Sequence, residues 1–318
     1  MNNNIIKEVD IQGLTSKKDG LRVLSLFDGM GCGRQALSEL GIKVDKYYAS
    51  EIDKYAIDVA LHNHSDIIEL GDVTKWREWD IDWGCIDLLI GGSPCQGFSF
   101  AGKKLNFEDE RSELLLDFID ILNHIKSLNP NVKFLLENVK MKSECEKFIN
   151  ETIGVEGVHI NSNLFSAQNR DRIYWTNLQY GELPSGNDSL LQDIVDKDAD
   201  EDSKLYLTKK YHQGFLRSYK WNPNLLSEKS KPILASYHKQ PPHCPYIPIR
   251  HRIRRGSEYS AFRRLSPTEC EKLQTLPIGY TAEGVNGKKI SDSQRYKMIG
   301  NGWTVGTIKH LFAELKHS

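Results

Sequence analysis

Between residues 21 and 139 the chain repeats one pattern: a short apolar run closed by a glycine, an acid or a cysteine, then a stretch with helical spacing. Val23-Leu24-Ser25-Leu26-Phe27 runs into Asp28-Gly29-Met30-Gly31-Cys32-Gly33, and Lys46 to Ser50 ends at Glu51. Ile67 to Leu70 ends at Gly71-Asp72, Ile86 to Ile90 at Gly91-Gly92-Ser93-Pro94-Cys95, and Phe134-Leu135-Leu136 at Glu137-Asn138. Runs without polar alternation suit strands buried on both faces. Helices are expected from Arg34 to Leu40, through Tyr55–Ala60 and over Leu114–Leu128. Strands alternating with helices predict βαβ units and a parallel sheet covered on both sides. Ligands of such sheets sit beyond the carboxyl ends of the strands, so Asp28, Glu51, Asp72, Cys95 and Glu137 are expected along one edge. After about Gly181 the pattern breaks into an acidic run over 196–202, a region rich in Tyr, His, Pro and Lys, and then arginines. That stretch reads as an inserted small domain. Helical spacing returns over Ser266–Leu276 and Thr304–Leu315.

Across the 318 residues, 42 Lys and Arg oppose 43 Asp and Glu, a net charge of −1 that excludes a globally basic nucleic-acid binder but leaves room for a local basic patch. No stretch approaches the roughly 20 apolar residues that cross a bilayer. The start, Met-Asn-Asn-Asn-Ile-Ile-Lys, lacks a secretory pattern, so a reducing cytoplasm is expected. Cysteines 32, 85, 95, 145, 244 and 270 form no CxxC pair and are read as thiols. His238, His243 and Cys244 lack a second tight pair of ligands, so no metal is expected.

A glycine-rich turn after the first strand lets backbone approach a ligand, and an acid closing the second strand accepts hydrogen bonds from ribose hydroxyls. Arg34 stands where a dinucleotide fingerprint needs its third glycine, which favours a compact cofactor carrying one nucleoside. An ordinary tight turn would also explain those glycines. Cys95, on a loop after a buried strand, is either a nucleophile or a structural thiol. Glu137, between an apolar strand and a cleft, is either a surface carboxylate or a proton donor with a raised pKa. Six arginines, 250, 252, 254, 255, 263 and 264, face one acid, Glu258, and interleave with Tyr259 and Phe262. They suit a phosphate-facing surface, or else a basic face paired with the acidic run.

Taken in order, these segments resemble the DNA cytosine-5 methyltransferases. The match runs through Phe27-Asp28-Gly29-Met30-Gly31, Glu51-Ile52-Asp53, Gly71-Asp72-Val73, Pro94-Cys95-Gln96-Gly97-Phe98-Ser99 and Phe107-Glu108-Asp109-Glu110-Arg111-Ser112. It continues through Glu137-Asn138-Val139, Gln168-Asn169-Arg170-Asp171-Arg172, Arg264-Leu265-Ser266-Pro267-Thr268-Glu269 with Leu273-Gln274, and Gly300-Asn301-Gly302. Val23-Leu24-Ser25-Leu26-Phe27-Asp28-Gly29, and Trp303-Thr304-Val305 followed by His310-Leu311-Phe312, look like the de novo branch of animal enzymes, whereas Gln96 and Gln168 look like bacterial and phage enzymes. Gly302 departs from the usual serine, which leaves a backbone contact there.

The resemblance implies an α/β, Rossmann-like S-adenosylmethionine-dependent methyltransferase sheet with helices on both faces, plus a small target-recognition domain. It assigns 1–20 to a tail, 21–180 and 262–318 to the catalytic domain, and 181–261 to target recognition. Cys95, Glu137, Arg170 and Arg172 would be catalytic, with the two arginines holding Glu137 and the target phosphate. Phe27, Asp28, Gly29, Gly31, Glu51, Ile52, Asp72, Val73, Pro94, Leu114, Asn301 and Trp303 would bind S-adenosylmethionine, leaving S-adenosylhomocysteine as product. Gln96, Ser99, Arg250, Arg252, Arg254 and Arg255 would contact double-stranded DNA. A monomer in a bacterial or phage-infected cell, with a restriction-modification role, completes the expectation. The related transfer-RNA methyltransferases are the runner-up, and a silent DNA-binding homologue is disfavoured by the intact Cys95, Glu137, Arg170 and Arg172.

Overall fold

The computed structural model describes residues 19–94, 110–207, 226–249 and 262–317. Its centre is a seven-stranded sheet of β1 (Leu21–Leu26), β2 (Val44–Ser50), β3 (Ile67–Glu69), β4 (Leu88–Gly92), β5 (Lys133–Val139), β6 (Val158–Asn161) and β7 (Asp171–Thr176). The strand order is β3-β2-β1-β4-β5-β7-β6. β1 to β5 are parallel, and the order reverses between β1 and β4, where open α/β sheets leave a crevice.

Successive side chains of a strand point to opposite faces, and here both faces are apolar. Val23, Leu88, Ile90 and Leu135 pack under α1 (Cys32–Glu39) and α2 (Lys54–Asn63). Leu24, Leu26, Leu89, Phe134 and Leu136 pack under α3 (Glu110–Leu128) and α4 (Ser143–Ile153). Beyond α5 (Leu191–Ile194), the described residues form three further helices: α6 (Pro267–Leu273), α7 (Asp292–Asn301) and α8 (Val305–Phe312). α8 returns to the first face through Val305, Ile308, Leu311 and Phe312. Ser266 caps α6 in a capping box with Glu269, and Pro267 opens its first turn.

The five strands expected from the sequence are parallel; β7, where no strand was expected, runs antiparallel to β5 and β6. That reversal brings the start of β7 to the carboxyl edge of the parallel strands. A parallel β7 would carry Arg172 to the opposite edge. β5 also extends two residues past Glu137, which therefore lies inside the strand, opposite Gly92 and Tyr174.

Residues 226–249 do not stand apart from the sheet. Ser230 N donates to Ala167 O at 2.7 Å, Asn169 N to Ser230 O at 2.8 Å, and Lys229 Nζ reaches the carbonyls of Asn163, Ser166 and Asn187. Ile233, Tyr237 and Tyr246 join the same apolar cluster as α8. β8 (Tyr246–Pro248) and β9 (Phe262–Arg264) pair antiparallel beside it.

Candidate active site

A cleft of about 570 Å³ opens at the carboxyl edge where the strand order reverses. Of the expected cofactor residues, Phe27, Asp28, Gly29, Glu51, Ile52, Asp72, Val73, Pro94, Leu114, Asn301 and Trp303 line it. Gly31 does not. It begins α1 with φ 81°, and a Cβ there would meet Tyr280, Ala60 and His64 instead. Its glycine serves a left-handed turn, not a contact with the cleft.

Phe27, immediately after β1, has φ 56°, a conformation that is costly for an aromatic residue and that the surrounding structure must hold. Glu51 closes β2 with both carboxylate oxygens engaged. Oε2 accepts from Gly29 N at 2.9 Å, and Oε1 from Ile52 N at 2.8 Å and Asp53 N at 2.9 Å. Glu69 Oε1 accepts from Glu51 N at 2.9 Å and so ties the ends of β2 and β3 together. Asp28 Oδ1 accepts from Tyr47 Oη at 2.7 Å and from Ser25 Oγ, while Oδ2 is sealed from solvent with no partner. Burial pushes the Asp28 carboxyl up to about 6; the Ser25 and Tyr47 bonds oppose the rise and the Glu51 charge adds to it. Burial, then the Asp28 charge, pushes Glu69 up to about 7.

At the other end of the cleft Glu137 is 8% exposed. Arg172 Nε lies 2.8 Å from Oε1, and Trp303 Nε1 donates to Oε2 at 3.0 Å. The antiparallel register explains the first contact, since Arg172 sits diagonal to Glu137 on one face of the β5/β7 pair. Asn138 Nδ2 donates to Ser93 Oγ at 3.0 Å and so fixes the chain just before Pro94.

Arg170 corrects an expectation. It lines the cleft but donates to three backbone carbonyls, Ile233 O at 3.0 Å, Gly300 O at 3.1 Å and Gly302 O at 3.0 Å, rather than to Glu137. Only Arg172 of the pair grips that carboxylate. Two arginines of the basic cluster are also not phosphate-facing. Arg263 is fully buried, forked onto Glu269 at 2.8 and 2.9 Å and bonded to Asp200 at 2.6 Å. Asp200 belongs to the acidic run, so for this arginine the pairing alternative holds. Arg264 donates to His238 O and Lys204 O and lies 5.4 Å from the Tyr296 ring. Cys95, Gln96, Ser99, Arg250, Arg252, Arg254 and Arg255 lie outside the described residues.

Several lining residues escaped the sequence reading. Leu234 and Ala235 border the cleft from within 181–261, and Lys297 and Met298 from α7, where no helix was expected. Lys297 Nζ lies 2.6 Å from Asp53 Oδ2. A helix opening at Asp292 and closing before Gly302 was the available signal. Gly302 sits in a tight place: a Cβ there would stand 2.6 Å from Met30 Cε, 3.2 Å from Met298 O and 3.3 Å from Cys32 Sγ, so a serine would require the Met30 side chain to shift.

Comparison with known proteins agrees with this geometry. The chain is 32% identical to the type II methyltransferase M1.ScrFI of Lactococcus lactis subsp. cremoris over 92% of this chain and 77% of that protein. It is 28% identical to the type II methyltransferase M.NlaX of Neisseria lactamica, over 93% and 96% of the two chains. The methyltransferase EhMeth of Entamoeba histolytica shares the fold with a TM-score of 0.70 at 16% identity, covering 94% of this chain and 99% of that one. The family model for the C-5 cytosine-specific DNA methylases matches residues 21–317, and the chain belongs to that family.

Proposed function

We propose that the chain methylates carbon 5 of a cytosine flipped out of duplex DNA, with Cys95 as nucleophile, Glu137 as the acid at ring nitrogen 3, and S-adenosylmethionine as donor. The observation that carries this reading is the convergence, in one cleft, of an amide-held carboxylate at the end of β2 and a doubly anchored carboxylate on β5.

The residues fit the cofactor. Glu51, fixed by three backbone N–H groups, would take the ribose hydroxyls and Asp72 the adenine amino group. Phe27 would stack on the adenine, and Ile52, 78% exposed at the rim, has apolar surface to cover it with. When bound, S-adenosylmethionine supplies a methyl group activated by a positively charged sulfur.

Cytosine is too weak an electrophile and its carbon 5 too weak a nucleophile to react unaided. Addition of the Cys95 thiolate to carbon 6, with Glu137 hydrogen-bonding or protonating nitrogen 3, makes carbon 5 enamine-like. After methylation, loss of the carbon-5 proton expels the thiolate. Arg172 holds Glu137 throughout, and Asn138 holds Ser93 at the start of the segment carrying Cys95. The target atom is shielded inside a duplex, so the base must leave the stack.

Target recognition is assigned to 181–261, with Gln96, Ser99, Arg250, Arg252, Arg254 and Arg255 on the DNA. The type II names of the relatives support a restriction-modification setting in a bacterial or phage-infected cytoplasm, and among the described residues no helix is long and apolar enough to cross a membrane. The test is bisulfite sequencing of DNA from cells expressing the chain, with transfer RNA sequenced in parallel. 5-Methylcytosine at one recurring DNA sequence, lost in Cys95→Ala, is expected. Methylated transfer RNA beside unmethylated DNA would overturn the assignment of substrate.

A further inference from the structure

The resemblance assigns Trp303 to the cofactor wall. Its indole also does something that a wall residue need not: Nε1 donates to Glu137 Oε2 at 3.0 Å, while Arg172 Nε occupies Oε1 at 2.8 Å. We propose that Trp303 is a positioning residue for Glu137, the second of two donors that fix the plane of its carboxylate beneath the target base. This rests on the function proposed above.

Three further observations carry it. The backbone of β4 is shaped around the bond, because a Cβ on Gly92 would stand 2.9 Å from both Glu137 Oε2 and Trp303 Nε1. The indole has a prepared seat, since Gly302 O, on the residue before it, accepts from Arg170 Nη2 at 3.0 Å and Gln274 Nε2 at 3.2 Å. On the other side, Thr304 Oγ1 donates to Gln274 Oε1 at 2.7 Å. Trp303 is thus held from both neighbours in sequence by Arg170 and Gln274, whose hydrogen bonds here go to backbone carbonyls and to the Thr304 hydroxyl rather than to Glu137.

The chemistry of the donor matters as much as its position. An indole N–H donates and never accepts. It can orient the carboxylate but cannot compete for the proton that Glu137 shares with cytosine. A carboxylate anchored through one oxygen can still rotate about that contact; anchored through both, it keeps a free lone pair on each oxygen in a fixed direction. Preorganisation of this kind acts on the chemical step rather than on cofactor affinity.

The experiment measures single-turnover methyl transfer to duplex DNA, and cofactor affinity by titration calorimetry, for wild type and Trp303→Phe, each with Glu137 or with Glu137→Ala. Phenylalanine keeps an apolar ring and removes the donor. Losing one hydrogen bond to a charged group should slow transfer about 10- to 100-fold. The cofactor Kd should stay within about threefold, and with alanine at 137 the same substitution should change the rate by less than about twofold. A wild-type rate in Trp303→Phe, an equal loss in both backgrounds, or a loss confined to the cofactor Kd would overturn the proposal. Should Trp303→Phe fail to fold, Gly92→Ala decides, because its methyl group wedges the same two atoms apart and must give the same pattern. A wild-type chain that transfers no methyl to DNA removes the function itself, whereas an active wild type with an unaffected Trp303→Phe removes only the role of the indole.

Discussion

Replacing Arg170 with lysine separates two arginines that look alike in sequence. Arg170 is 4% exposed, and its guanidinium bonds three carbonyls on two separate stretches of backbone, Ile233 on one and Gly300 and Gly302 on the other. Burial, with the neighbouring Arg172 charge, pulls its pKa below the ordinary value. A lysine ammonium is a single point on a flexible stem and lacks the fork needed to span Ile233, Gly300 and Gly302. Losing two of the three bonds from this charged group, at about 1.5–3 kcal/mol each, costs about 3–6 kcal/mol. With an unfolding entropy of about 2.1 cal/mol/K per residue, that lowers Tm by about 4–9 °C. Thermal unfolding followed by fluorescence reads the shift directly. Arg172→Lys, at a partly open site whose main partner is Glu137, should leave Tm nearly unchanged and slow methyl transfer. An unchanged Tm in Arg170→Lys together with lost transfer would refute the argument and return Arg170 to the substrate.

Glu51→Ala should weaken S-adenosylmethionine binding by about 1–3 kcal/mol, since hydrogen bonds to a charged carboxylate are lost; an unchanged Kd in calorimetry would place the ribose elsewhere. Asp28 is raised from 3.8 to about 6, so the folded chain keeps a proton that the unfolded chain has released. Its contribution to stability is therefore present below pH 3.8 and lost as pH rises through about 6, and Asp28→Asn should flatten that fall, at most about 3 kcal/mol, in denaturation midpoints across the window. Gly300→Ala would set a Cβ 2.2 Å from the Ala235 backbone nitrogen, which cannot swing aside as a side chain would. A destabilisation of about 3 kcal/mol, the upper end for overpacking, is expected in urea unfolding, and a neutral result would mean that 226–249 packs elsewhere.

The edge of the sheet was legible because parallel strands advertise themselves: apolar on both faces, each must end in a turn, and that turn carries Asp28, Glu51 or Asp72. Arg172 was legible as a motif but not as a place, since nothing in Gln168 to Arg172 announces that β7 runs backwards. Arg263 misled for the opposite reason. Charge density along a sequence does not reveal which guanidinium finds two carboxylates, and Asp200 lies 63 residues away. Trp303 was assigned to a wall because its neighbours Gly300-Asn301-Gly302 carry the resemblance. The direction of one N–H bond depends on the space left by a glycine at 92, and no local pattern records it.

The bond between Trp303 and Glu137 also bears on the time at which a chain under synthesis becomes competent. The two residues are separated by 166 positions. At roughly 5–20 residues per second, a ribosome needs about 8–33 s after making Glu137 before it adds the tryptophan. β1 to β4 are already made when that interval begins, and β6 and β7, Arg172 included, follow early in it, yet until Trp303 is added the carboxylate has only one of its anchors. A nascent chain can therefore pair the strands of its sheet before it holds an ordered acid, and because the same late stretch supplies α8, which covers one face of that sheet, the core and the acid are completed together.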